Sequence, residues 1–146
     1  MRNYLYSKVN MSKIPCILLV DDDETTNYVN ALIIKKSGLT DETLIAYNGK
    51  EALEIVHKRY GTGEEESVLD APLLILLDIN MPIMDGLEFM ECFDALGDRV
   101  KSKISVIVLT TSNHPTDMEK MKQFGVHSFI NKPLRKEELE KFVALT

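Results

Sequence analysis

This chain lacks most of the features that would mark a disulfide scaffold, a membrane protein or a nucleic-acid binder. It has two cysteines in 146 residues, Cys16 in a strand-like run and Cys92 in a helix-like one, with no framework spacing between them. Both read as small buried hydrophobes, which suits a reducing cytoplasm. The apolar runs are too short to span a bilayer, and Met1 to Ile14 is interrupted by Arg2, Asn3, Lys8, Asn10 and Lys13, so it has no signal-peptide core. No cluster of Lys and Arg offsets the net charge of −6, which disfavours direct binding to nucleic acid. His57, His114 and His127 have no metal-ligand spacing, and neither a sequence repeat nor a low-complexity tract appears.

What is present is the composition of one soluble domain, 45% hydrophobic and 27% charged. Met11 stands just ahead of the first strand-like run, so residues 1–13 are expected to be a disordered leader and 14–146 the domain. Five strand-length apolar runs alternate with five segments of helical period. Cys16 to Val20 precedes Glu24 to Ser37, in which Tyr28, Ala31, Leu32 and Lys35 follow the 3.6 repeat and Gly38 stops the helix. Thr43 to Ala46 precedes Gly49 to Tyr60, with Asn48 as N-cap and Ala52, Leu53, Val56 and Tyr60 on one face. Gly61 to Ala71 reads as a solvated surface loop. Leu73 to Leu77 precedes Gly86 to Leu96, Ile104 to Leu109 precedes Pro115 to Phe124, and Ser128 to Ile130 precedes Lys136 to Leu145.

Continuously apolar strands such as Ile17 to Val20 and Leu73 to Leu77 are covered on both faces, which predicts a doubly wound α/β fold with a parallel sheet between helix layers. Right-handed crossovers then place the carboxyl ends of all five strands along one edge, where ligands of such sheets bind. That edge gathers Asp21, Asp22, Asp78, Thr110 and Lys132 from positions more than a hundred residues apart. Crowded carboxylates repel one another and attract a small hard cation, and Mg²⁺ is the natural occupant. Asp22 and Asp78 can supply carboxylates and Asn80 a main-chain carbonyl, while Asp21 can act directly or through water. Lys132 opposite the metal and the Thr110 hydroxyl complete a set suited to three phosphoryl oxygens, with Asp78 as the central nucleophile.

These residues resemble the receiver domain of two-component response regulators, of the stand-alone chemotaxis type, over about Ile14 to Leu145. The motifs are Asp21-Asp22 after the first strand, Asp78-x-Asn80-Met81-Pro82-x-x-Asp85-Gly86, Thr110 after the fourth strand and Lys132-Pro133 after the fifth. The resemblance implies the flavodoxin-like strand order 2-1-3-4-5 with five helices. It implies that Asp78 accepts a phosphoryl group from a phosphohistidine of a sensor histidine kinase or a histidine phosphotransfer protein. Mg²⁺ would be held by Asp22, Asp78 and Asn80, and Thr110 and Lys132 would bind the phosphoryl oxygens. Thr110 and Phe129 would form the switch, remodelling the surface of Pro115 to Phe124, Ser128 to Ile130 and Lys136 to Leu145 for a downstream protein target.

Such a chain is a phosphoacceptor, as messenger or relay, rather than an enzyme with a separate substrate. The surface residues leave homodimerisation through the last two helices open. Thr111, where relatives have a small residue, is expected to narrow access to the phosphoryl group, and Asn80 and Ser112 occupy positions that tune hydrolysis. Asp23 is read as a helix cap, and Asp85 and Gly86 as shaping the loop and starting the third helix. Met118, Met121 and Phe124 read as packing. A rival reading comes from Asp21-Asp22-Asp23-Glu24-Thr25, which is similar to the nucleophile motif of haloacid-dehalogenase-type phosphatases. There Asp21 would be phosphorylated and Asp23 would be the acid/base, but the acidic pair those enzymes need after the fourth strand is replaced by Thr110-Thr111-Ser112.

Overall fold

A computed structural model describes residues 14–61, 71–111 and 114–145, so the expected leader, most of the surface loop and Ser112 lie outside the described residues. The strands are β1 Ile17–Val20, β2 Thr43–Ala46, β3 Leu73–Asp78, β4 Ile104–Thr110 and β5 Ser128–Asn131. The helices are α1 Glu24–Ser37, α2 Gly49–Tyr60, α3 Gly86–Asp94, α4 Asp98–Lys101, α5 Pro115–Gln123 and α6 Lys136–Leu145. All strand pairs are parallel, in the order β2-β1-β3-β4-β5. The expected fold is therefore the one found, with one addition. The single-turn α4, held by Gly97 accepting from the Val100 and Lys101 amides, is too short to leave a periodic signal in the sequence.

The sheet divides two apolar layers. On one face Leu18, Val20, Ile75, Leu77 and Val108 pack with Ala52 and Val56 of α2, Phe89, Met90 and Phe93 of α3 and Met121 of α5. On the other, Ile17, Leu19, Leu74, Leu76, Ile107 and Leu109 pack with Ile34 of α1 and Leu139 of α6. Residues alternate between the layers along each strand, and each fully buried Leu or Ile contributes about 2 kcal/mol of transfer free energy. Of the three residues expected to pack along α5, Met121 is fully buried and Met118 and Phe124 are half-buried.

The periodicity of α1 does not mark its core face. Tyr28 is 61% exposed and Leu32 40%, whereas the buried residues are Asn27, Asn30 and Ile34. Two polar side chains face inward in the N-terminal half of the helix, while Tyr28 and Leu32 of the apolar repeat face water and Ala31 is half-buried.

Candidate functional site

Three strand ends supply the charged centre. β1 ends at Val20, where the Asp21 amide donates to Ala46 O at 3.1 Å, and the next two residues carry their carboxylates beyond the sheet. Asp78 closes β3 opposite Leu109 of β4, which fixes its carboxyl to the middle of the sheet. Lys132 follows β5, its amide donating to Thr110 O at 2.8 Å, and its peptide bond to Pro133 is cis. As a result one carboxylate oxygen each from Asp21, Asp22 and Asp78 lies within 4.8 Å of the others, the only such group among the described residues. Asp21 and Asp78 are buried, and Asp22 is exposed at the mouth.

Lys132 bridges the two buried acids. Its Nζ donates to Asp21 Oδ2 at 2.6 Å and lies 3.3 Å from Asp78 Oδ1. The second Asp21 oxygen, Oδ1, accepts from the Asp23 amide at 2.9 Å. Burial lifts the Asp78 carboxyl above its ordinary value of 3.8; Lys132 opposes that rise and Asp21 adds to it. Burial acts against the charge on Lys132, yet its bond to Asp21 and the pull of both acids outweigh this and raise its pKa. Three carboxylates thus face one ammonium. The arrangement fits a divalent cation of the Mg²⁺ type, which prefers oxygen ligands and keeps part of its water shell.

The loop after Asp78 is shaped by its backbone. Asp85 caps α3, accepting from the Glu88 amide at 2.8 Å while Glu88 reaches back to the Asp85 amide at 3.1 Å, a full capping box. The Gly86 amide donates to Ile79 O at 2.7 Å, and a Cβ on Gly86 would stand 2.6 Å from Asp78 O, so the loop closes only around glycine. Within the loop Asn80 is exposed, and Ile83 is 77% exposed with a left-handed φ of 70°. Asp23 is the N-cap of α1 in an extended conformation, with Thr26 Oγ1 donating to its carboxylate.

Thr110 is buried at the end of β4. The register pairs Thr110 with Asn131 and Val108 with Phe129, so Phe129 is on Thr110's side of the sheet, half-buried beside the layer that contains α5. Thr111 is exposed and, with Thr25, Val29, Lys132 and Pro133, lines a cleft of about 420 Å³ next to the charged centre. The structure thus brings Asp21, Asp22, Asp78 and Lys132 together and ends β4 with Thr110 at the same edge, while Asn80 lies exposed in the loop after β3 and Phe129 two residues before the end of β5. The contribution that sequence reasoning missed is Asn27, 1% exposed, whose Nδ2 donates to the Asp21 carbonyl at 2.8 Å. The apolar pattern of α1 carried no signal for it, because the hydrophobic repeat runs along a different face of the helix.

The class the fold defines is a doubly wound α/β domain whose strand ends gather three acids, a threonine and a lysine at one edge. The chain belongs to the response regulator receiver domain family, whose description matches residues 17–144. It is 31% identical over 127 residues to the response regulator Rcp1 of Synechocystis sp., covering 87% of this chain and 82% of that protein. It is also 29% identical to hybrid signal transduction histidine kinase B of Dictyostelium discoideum, over 87% of this chain but 6% of that much longer protein. Among solved structures, a two-component response regulator from Cytophaga hutchinsonii superposes with a TM-score of 0.75 at 29% identity, covering 92% of this chain and 99% of that one. The phosphatase reading is set aside by this membership. No helix of the described residues is long and apolar enough to cross a membrane.

Proposed function

We propose that the domain, residues 14–146, receives a phosphoryl group on Asp78 from the phosphohistidine of a sensor kinase or a histidine phosphotransfer protein. The observation that carries this reading is the charge geometry: three acid oxygens within 4.8 Å and Lys132 bridging the two buried acids. An Asp78 oxygen attacks phosphorus, the P–O bond forms as the P–N bond breaks, and the electron pair leaves on the imidazole nitrogen. Asp22, Asp78 and the Asn80 carbonyl would hold Mg²⁺, with Asp21 acting directly or through water, and the ion would supply neutralisation of charge on the phosphoryl oxygens. Lys132 and the Thr110 hydroxyl take those oxygens on the opposite side.

Once Thr110 turns toward the phosphoryl group, Phe129 moves into the space it leaves. The surface formed by α5, β5 and α6 then binds a downstream protein differently, a shift between two conformers that phosphorylation biases. The cleft beside Lys132 gives the donor protein room to approach, with Thr111 at its wall. The chain acts as a cytoplasmic messenger or relay and turns over no separate substrate.

The test is to incubate the protein with Mg²⁺ and phosphoramidate and to map the modified residue by mass spectrometry. Modification at Asp78, lost in Asp78→Asn, is expected. Modification at Asp21 that survives Asp78→Asn would overturn the assignment.

A further inference from the structure

We infer that Asn27 is a positioning residue for the acid pair, fixing the direction of Asp22 and with it the affinity of the edge for a divalent cation. The inference rests on the phosphoacceptor reading above. Asn27 lies in the first turn of α1 and is 1% exposed. Its side chain reaches back six residues, Nδ2 donating to Asp21 O at 2.8 Å, while its own amide donates to Asp23 O at 3.1 Å. The Asp21 carbonyl and the Asp22 amide belong to one planar peptide unit, so a bond that holds that carbonyl also orients the Asp22 backbone.

The two acids of the pair are held by different means. The Asp21 carboxylate is tied at both oxygens, to the Asp23 amide and to Lys132. Asp22 is exposed, and its direction comes from the peptide that Asn27 grips. Packing does not account for the asparagine. Its Oδ1 is buried with no hydrogen-bond partner, an unfavourable state that a leucine, branched at the same atom, would avoid. What leucine cannot supply is the N–H donor to Asp21 O. Groups that orient metal ligands without touching the ion commonly control affinity by about 10- to 100-fold.

The experiment compares wild type with Asn27→Leu by calorimetric titration with Mg²⁺ and by thermal melting in metal-free buffer. Mg²⁺ affinity is expected to fall about 10-fold, with a metal-free melting temperature close to that of wild type, because relief of the orphaned Oδ1 offsets loss of the bond to Asp21 O. Unchanged affinity overturns the inference. If the melting temperature falls, Asn30→Leu decides the matter, because Asn30 is buried one turn along the same face. An equal affinity loss in Asn30→Leu marks general loosening of α1 and overturns the inference, and affinity retained there upholds it. A wild-type chain that binds no Mg²⁺ would bring down the metal assignment and this inference together, whereas wild-type binding with an unaffected Asn27→Leu brings down this inference alone.

Discussion

The two edges of the sheet handle charge in opposite ways. At the amino edge Arg59 Nη1 lies 3.2 Å from Glu42 Oε1, and its guanidinium stands 5.9 Å from the centre of the Tyr60 ring. Tyr60, 1% exposed, donates its hydroxyl to Ala71 O at 2.5 Å, and Cys16 beneath it is fully buried, its thiol pushed up to about 12 by burial and then by its bond to Glu42. In the Arg59–Glu42 pair cation and anion match one to one. At the carboxyl edge one ammonium bridges two of three clustered carboxylates. Balanced charge contributes to holding the fold, whereas the surplus of negative charge leaves attraction available for an incoming cation and phosphoryl group.

The largest test of this contrast is chemical. Asp78→Asn is expected to abolish phosphoryl uptake from phosphoramidate, read as loss of the phosphorylated mass, while Glu42→Gln at the amino edge leaves uptake at the wild-type level. Uptake lost in both would mean that the edges are coupled. Next in size is Lys132→Met, which leaves two buried acids without their ammonium. Without Mg²⁺ it is expected to lower unfolding free energy by on the order of 2 kcal/mol in urea titrations, less than a fully buried pair would cost because both partners keep some solvent contact. Stability equal to wild type would show that the lysine does not offset the acids.

A smaller effect has the opposite sign. Because burial raises the Asp78 carboxyl, ionised Asp78 disfavours the folded state. Its contribution to stability is full below the unfolded value of 3.8 and is lost as pH rises through the higher folded value. Asp78→Asn is therefore expected to melt a few degrees above wild type at neutral pH without Mg²⁺, with the gap closing toward acid pH and on adding Mg²⁺. A variant that melts lower at neutral pH would contradict this. The smallest effect belongs to the amino edge: Tyr60→Phe removes the bond to Ala71 O and is expected to cost about 1 kcal/mol with phosphoryl uptake unchanged.

How far the sequence discloses each part depends on the physics behind it. The strand runs were legible because burial on both faces leaves no polar alternation, and α1 and α2 begin and end where caps and glycines mark them. The C-terminal end of α3 was less legible: Leu96 continues its apolar stripe, but the helix ends at Asp94 and Leu96 is buried from the following turn. The acids, Thr110 and Lys132 were legible because parallel topology alone gathers strand ends. The inward face of α1 was not, because Tyr28, Leu32 and Val29 carry the apolar signal while Asn27 and Asn30 hold the buried positions. Periodicity measures hydrophobicity and cannot register a polar side chain buried for the hydrogen bond it makes.

The loop from Ile79 to Asp85 is gripped at both ends by main chain. Gly86 N–H bonds to Ile79 O at 2.7 Å, Gly49 N–H bonds to Met84 O at 2.8 Å, and a Cβ on either glycine would meet backbone atoms within 2.8 Å. Such a clasp works as a workshop jig: it holds the workpiece by its frame and leaves the outer surface free to be recut. Pro82 and Ile83, exposed between the two grips, can change in size and polarity without shifting Asp78.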